Sequence, residues 1–343
     1  MSRITLPRPF LKTLAACTLS LATVYANASY EKPGDGVTVR PSYPLAMEER
    51  VLGEVVIAGL KELGYKVKTP NETEIPTMLM SVSYGDADYT VNLWEKLHAS
   101  FYQRTGGDDA MVRVGDMVPG LVQGYMIDKK TAEAHGIKYL TDMKKPEIAK
   151  LFDTDNDGKA DLTGCNPGWG CELVIEHHLK AYDLNGSIDH VRGSYTALIA
   201  DTIARFNEGQ PVFYYAWLPQ WVGGILVEGR DVVWLEVPKT DLPGGNTNAA
   251  DTTYNGKNLG FAKDKVEAAI NKDFAAKNPA LVKFLSQVRI PAEDVSAENF
   301  KLHEGEDKIV DIQRHARDWI AAHRETFDAW LETARKSAVV SDR

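Results

Sequence analysis

The chain has little of what marks an enzyme, a nucleic-acid binder or a membrane protein. Its 343 residues include three cysteines. They contain no Gly-x-Ser-x-Gly, no Walker loop and no His-Glu-x-x-His, so no hydrolase elbow, phosphate cradle or zinc-protease helix is encoded. Basic residues are the minority, 39 lysines and arginines against 48 aspartates and glutamates, for a formal charge of −9. An acidic chain of this kind is a poor partner for nucleic acid or anionic lipid. Beyond residue 28 no apolar run reaches the roughly 20 residues of a membrane helix. His177-His178 is the one adjacent histidine pair, and neighbouring side chains on a helix diverge, which disfavours a shared metal. His135, His190, His303, His315 and His323 read as surface residues. No internal repeat or low-complexity linker interrupts the sequence.

The N-terminus carries an export signature. Arg3, Arg8 and Lys12 precede an apolar run from Leu14 to Ala26, and Ala26-Asn27-Ala28 offers the small residues that a signal peptidase reads. Val24-Tyr25-Ala26 is a second candidate site. Residues 1–28 are therefore expected to be a signal peptide, which places the mature protein in the periplasm. Leu14-Ala15-Ala16-Cys17 matches a lipoprotein pattern, but most of the apolar run follows Cys17, so that cysteine is assigned to the signal. Its removal leaves an acidic chain of roughly 315 residues, enough for two cores of ordinary size, and two cysteines, Cys165 and Cys171.

Strand and helix patterns alternate along that chain. Gly36–Arg40 reads as a strand and 45–63 as a helix, with Val51, Leu52, Val55, Val56, Leu60 and Leu63 at helical spacing. Gly64 stops the helix and Tyr65–Lys68 resumes a strand, a βαβ unit that implies a largely parallel sheet. Ser194 is placed to cap a helix through Phe206, Val212–Tyr215 forms a buried strand, and Asn278-Pro279 opens another helix. The chain closes on a long amphipathic helix or helix pair from Ile309 to Leu331. The pattern is α/β throughout, compatible with two lobes interleaved in sequence or with one large doubly wound domain.

Three segments concentrate unusual chemistry. Thr163-Gly-Cys165-Asn-Pro-Gly-Trp169-Gly170-Cys171 sets a tryptophan among glycines and a proline between two cysteines. In an oxidising compartment those thiols are expected to pair; two cysteines alone lack the further ligands of a zinc site. Glycines let backbone N–H groups approach a ligand, and successive N–H groups form an anion nest. The alternative is a stapled surface loop whose tryptophan packs on the body. Trp94 and His98 lie four apart where a strand Tyr89–Val91 feeds what reads as a helix, at the sheet edge where open α/β folds bind ligands. Trp217, followed by Trp221, ends another strand. Each of these tryptophans has a plain core reading as well.

One chemistry uses all three tryptophans. A quaternary ammonium has no N–H to donate, so hydrogen bonds cannot hold it. Aromatic faces attract it electrostatically while accepting its methyl groups, each contact worth roughly 0.5–2 kcal/mol. A fourth segment, Asp153-Thr-Asp155-Asn-Asp157-Gly158-Lys-Ala-Asp161, copies the start of an EF-hand loop. Gly164 occupies position 12, where the bidentate glutamate belongs. Two readings stand for it: a structural calcium held by Asp153, Asp155 and Asp157, or an Asx-turn loop without metal. No other cofactor or metal is indicated.

These residues together resemble the periplasmic glycine betaine-binding proteins of proline/glycine betaine ABC importers, the ProX type. The resemblance covers nearly the whole mature chain. It is most specific from Lys150 to Glu172, joined by Gln123-Gly-Tyr-Met-Ile-Asp-Lys-Lys-Thr131, Pro211-Val-Phe-Tyr-Tyr215 with Trp217, and Phe327-Asp-Ala-Trp330. The resemblance implies a type II periplasmic-binding-protein fold: lobe 1 from 29–125 plus 237–343, lobe 2 from 126–236, and hinge crossings near Gly124–Asp128 and Trp234–Pro238. It implies a trimethylammonium box of Trp94, Trp169 and Trp217. The ligand carboxylate would sit on His98 and the N–H groups of Gly170 and Cys171, with Cys165 and Cys171 in a disulfide. It implies a monomer that delivers its ligand to a membrane permease and its ATPase, and no catalysis. One segment departs from the family pattern Asn-Trp-x-Pro-Leu-His: here it is Asn92-Leu93-Trp94-Glu95-Lys96-Leu97-His98. A change of ligand range, toward proline betaine or a sulfonium analogue, would originate there. The competing readings are an exported enzyme acting on betaines or choline esters with His98 as base, and an extracellular sensor or calcium-dependent adhesion protein.

Overall fold

The computed structural model describes residues 30–46, 48 and 50–340, except for the side chains of 339 and 340. The signal peptide expected at 1–28, Cys17 included, lies outside the described residues. Strand β1 (Thr38–Val39), helix α1 (Arg50–Glu62) and strand β2 (Lys66–Val67) form the expected βαβ unit, and β1 and β2 pair in parallel. The helix begins at Arg50, not 45: the chain first makes a short strand, Ser42–Pro44, paired in parallel with Asn71–Thr73. Its apolar positions Val51, Leu52, Val55, Val56 and Leu60 are all buried. Gly64 ends it with φ +93°, a conformation that glycine adopts without steric cost.

The main sheet is not largely parallel. It contains β3 (Tyr89–Trp94), β4 (Met111–Asp128), β5 (Ala160–Thr163), β6 (Ile188–Val191), β7 (Phe213–Leu218), β8 (Val232–Leu235) and β9 (Asp264–Asn271), in the order β3-β9-β4-β7-β5-β6 with β8 also on β4. Strand β9 runs antiparallel to both β3 and β4, and β4 is antiparallel to β7 and β8; only β5 pairs in parallel, with β6 and β7. The βαβ rhythm predicts parallel neighbours only where a helix directly bridges two strands of one sheet. Here β1 and β2 stay outside it, and the central strand β4, 18 residues long, is obscured in sequence by Gly115, Pro119 and Gly120. Its first half pairs with β9 through Leu121, and its second half, from Val122, pairs with β7 and β8. One strand thus threads both halves of the sheet.

Helices α2 (Gly170–Ala181) and α3 (Tyr195–Asn207) flank the second half, while α4 (Pro279–Gln287), α5 (Ala292–His303), α6 (Ile309–Ala322) and α7 (Arg324–Val340) gather on the first. Ser194 stands at the expected N-cap of α3 without a side-chain capping bond. On α6, Ile312, Ala316, Trp319 and Ile320 face the core, and the Trp319 indole N–H donates to Asp294 at 2.9 Å. Among the described residues, no helix is long and apolar enough to cross a membrane.

Helix α1 owes its close packing on α4 to a missing side chain. A Cβ on Gly59 would lie 2.1 Å from the Phe284 ring, and Phe284 is fully buried with its ring edge-on to Phe327. Gly59→Ala is expected to destabilise the fold by about 1–2 kcal/mol, overpacking outweighing the helix-propensity gain. Thermal melting of the variant checks this; an equal or higher Tm would show that Phe284 yields freely.

Candidate ligand-binding site

The six residues singled out from sequence line one cavity. Trp94, His98, Trp169, Gly170, Cys171 and Trp217 surround a space of about 70 Å³. One water needs about 10–15 Å³ of such space, so the volume suits a compact organic ion. Trp94 arrives at the end of β3 and Trp217 near the end of β7; both are buried. Trp169 stands immediately before α2 and is half-buried. The Trp169 and Trp217 rings meet edge to face, with centroids 6.0 Å apart and planes at 74°. Trp221 is buried as well.

The Trp169 loop is held from several sides. Cys165 and Cys171 form the disulfide, with S–S 2.04 Å. The Glu172 carboxylate accepts the Gly168 N–H at 2.7 Å, and the Asn166 side chain accepts the Tyr195 N–H at 2.7 Å. Gly168 takes φ +87°, which glycine alone adopts cheaply. Gly170 and Cys171 open α2, where first-turn N–H groups have no partner within the helix and attract negative charge.

The Trp94–His98 segment folds differently from the expectation. Strand β3 continues through Trp94, residues 95–98 make a turn, and the helix starts only at Ala99. Trp94 and His98 therefore meet across a turn and not along a helix face, with the Trp94 backbone N–H donating to His98 Nδ1 at 3.2 Å. An accepting Nδ1 puts the proton of the neutral ring on Nε2, leaving that nitrogen as the donor. His98 is 4% exposed. Burial pulls its pKa down to about 3, against a smaller upward pull from the Asn92 backbone.

Asp264 on β9 organises this turn. Its carboxylate accepts the backbone N–H groups of Lys96 at 3.0 Å and Leu97 at 2.8 Å. Asp264 was not singled out from sequence; it lies far from the turn along the chain, and an acid at a strand start has many ordinary roles. Asn92, Glu48, Leu97 and Tyr215 also line the cavity unanticipated. Tyr215 was discoverable, since it lies two residues before Trp217 and shares its face of the strand; its hydroxyl donates to Gln123 at 2.7 Å.

The acidic loop forms a different triad from the one expected. Asp153, Asp155 and Asp161 bring carboxylate oxygens within 4.8 Å of one another, and Asp157 is not among them. Asp157 instead accepts the Lys159 N–H, while Asp153 takes the N–H groups of Asn156, Asp157 and Gly158. Two histidines expected at the surface have buried side chains as well. His315 is 1% exposed between Glu298 and Glu306, and the His190 side chain, 3% exposed, bonds Glu176 at 2.8 Å. Each bonds one ring nitrogen to a carboxylate on a neighbouring element, His190 Nδ1 to Glu176 and His315 Nε2 to Glu306, partners that one-dimensional spacing does not reveal.

An aromatic-walled cavity in this α/β architecture, with an uncharged imidazole and a helix start on its rim, defines a solute-binding protein of the type II periplasmic class. Residues 37–322 match the family model OpuAC, the substrate binding domain of ABC-type glycine betaine transport systems, and the chain belongs to that family. It is accordingly a transport binding protein and not an enzyme, so the reading of His98 as a catalytic base falls. The glycine betaine-binding periplasmic protein OusX of Dickeya dadantii is 45% identical over 331 residues, 96% of this chain and all of that protein. The glycine betaine/proline betaine-binding periplasmic protein of Escherichia coli is 44% identical over 317 residues, 92% of this chain and 96% of that one. Among solved structures, lactococcal OpuAC in its closed-liganded conformation with glycine betaine superposes with a TM-score of 0.66 at 19% identity, covering 86% of this chain and 99% of that one. An ABC-transporter choline binding protein in complex with choline gives 0.65 at 18% identity, covering 89% and 97%.

Burial pushes the Asp264 carboxyl up to about 6 although the N–H groups of Lys96, Leu97 and Lys265 pull it down; Glu95 adds to the rise. As pH falls through about 6, protonation removes acceptor capacity from the turn, so ligand affinity is expected to decline there. The sign for folding is opposite. The folded carboxyl holds its proton more tightly than the unfolded one at 3.8, so its contribution to stability grows from pH 6 down to 4 and is lost as pH rises through 6. Affinity measured from pH 5 to 8 is expected to bend near 6 in the parent protein and to stay flat in Asp264→Asn. A bend that survives in the variant would assign it to another group.

Proposed function

We propose that this chain is an exported periplasmic protein that binds glycine betaine, or a close quaternary ammonium such as proline betaine, and delivers it to the permease and ATPase of an ABC importer. One observation carries the reading. Three tryptophans from separate segments converge on a single cavity with His98, Gly170 and Cys171 beside them. The relatives' periplasmic names and the signal peptide expected at residues 1–28 support the location.

In this reading Trp94, Trp169 and Trp217 take the trimethylammonium group. Three cation–π contacts at roughly 0.5–2 kcal/mol each, with methyl burial, suffice for micromolar binding, about −8 kcal/mol. The His98 Nε2–H and the first N–H groups of α2 take the carboxylate. Lobe 1 comprises 29–125 and 237–343, and lobe 2 comprises 126–236. Two features support that division. Strand β4 changes partners at Leu121–Val122. Near residue 236 the chain leaves its bonds with Lys138 and Leu140, and Val237 instead donates to Asn258. Closure of the lobes would exclude water from the box and complete the surface that the permease reads. The protein acts as a monomer, without a cofactor; backbone donors already occupy much of the Asp153–Asp161 loop, which favours the Asx-turn reading over calcium.

Tryptophan fluorescence of the mature protein is expected to change saturably with micromolar glycine betaine and little with proline, whose smaller ammonium wants hydrogen-bond acceptors. Trp169→Ala should weaken betaine binding about tenfold or more. Unchanged affinity in that variant would sink the box. A response to another methylated cation in place of betaine would keep the site and reassign its substrate.

A further inference from the structure

Beside the tryptophan box lies a larger chamber that the betaine reading leaves unused. Its volume is about 340 Å³, and Trp169 lines both spaces. On the far side Trp221 lines it, its indole stacked on the His303 ring at 3.8 Å and 9°. The two indoles come from the segment before α2 and the segment after β7; His303 ends α5. The chamber is therefore walled by aromatic surface from both halves of the molecule.

Its charge is of one sign. Glu74 and Asp307 line it, and neither side-chain carboxylate has a hydrogen-bond or ion-pair partner among the described residues. Among the described residues, no lysine or arginine lines it. Unneutralised carboxylates around a partly enclosed space attract cations and repel carboxylate ligands.

Asn299 supplies an independent pointer. It is 1% exposed and lines the chamber, yet neither its Oδ1 nor its Nδ2 has a hydrogen-bond partner among the described residues. A buried amide left wholly unpaired is rare and costly in native proteins. A ligand that both donates and accepts a hydrogen bond would satisfy it. Aromatic walls favour an organic cation over a metal ion, which demands convergent oxygen ligands.

We infer that this chamber is a second, outer subsite for a small organic cation bearing a hydroxyl or amine, separated from the inner box by the Trp169 indole. The inference goes beyond the proposed function and draws on it only for the means of filling the box. Choline is the probe, and tetramethylammonium, which has no hydroxyl, is the control.

The experiment follows the Trp221 indole N–H resonance of the full mature chain saturated with glycine betaine. Choline is expected to shift it saturably, and to do so more tightly than tetramethylammonium. The double variant Glu74→Gln/Asp307→Asn should weaken that response about threefold or more while leaving betaine affinity unchanged. Asn299→Leu should erase the preference for choline. Absence of a saturable shift at Trp221 overturns the inference, as does a shift that the double variant leaves untouched or that merely tracks displacement of betaine. Failure of glycine betaine to occupy the inner box would count against the proposed function alone. The choline titration is then read at Trp221 in the free protein by the same criteria.

Discussion

The site depends on one close approach between two backbone segments. A Cβ on Gly170 would lie 2.6 Å from both the Leu97 side chain and the Leu97 carbonyl oxygen. Only a residue without a side chain lets the turn that carries His98 sit against the start of α2. Each partner in that contact is fixed by its own half of the molecule. The turn hangs from Asp264 on β9, and the start of α2 is tied by the disulfide, Glu172 and Asn166. Neither segment is held by regular secondary structure alone, and both would be mobile without these ties.

The aromatic walls are delivered by a different device. Trp94 and Trp217 ride on strands at opposite sides of β4, and β4 joins the halves as a continuous strand. Their positions follow from register: Gln123 on β4 pairs with Trp217, and Val266 on β9 pairs with Trp94. A ring placed by a sheet keeps its geometry more strictly than one placed by a loop. Trp169, the one wall on a loop, is also the one that is only half-buried. In the proposed function, recognition thus combines two preset surfaces with one adjustable surface.

Much of this was legible in the chain. Tryptophans at strand ends and inside a Gly-Pro-Cys loop violate the usual distribution of large apolar residues, and a violated pattern can be seen without coordinates. The βαβ opening, the helix stop at Gly64 and the amphipathic helical character of the C-terminal region followed from spacing. Strand direction did not follow, because it depends on how connections cross the sheet and not on side-chain periodicity. Strand β4 was hidden because glycines and a proline break its pattern at positions where the partner strand shifts register. The roles of Asp264 and Asn299 were hidden for a deeper reason. What sets them apart is a relation, three donors converging on one carboxylate or an amide with no hydrogen-bond partner among the described residues, and a relation across the fold has no local signature.

The cavity also explains why its carboxylate end would use neutral donors. Proteins usually read a carboxylate with arginine, yet among the described residues no arginine or lysine lines this cavity. In a ligand as short as glycine betaine the ammonium lies within about 5 Å of the carboxylate, and a fixed cation at that range would repel it by roughly 3 kcal/mol at an effective dielectric of 20. Helix N–H groups and an uncharged imidazole supply donors without that repulsion. Burial makes the arrangement durable. By pulling the His98 pKa down to about 3, it keeps the ring neutral throughout the ordinary pH range. In the proposed function, closure of the lobes would keep competing water from the indole faces, where cation–π attraction grows as solvent is excluded. In the proposed function a single constraint, burial, thus tunes both ends of the site toward a zwitterion whose positive charge cannot hydrogen-bond.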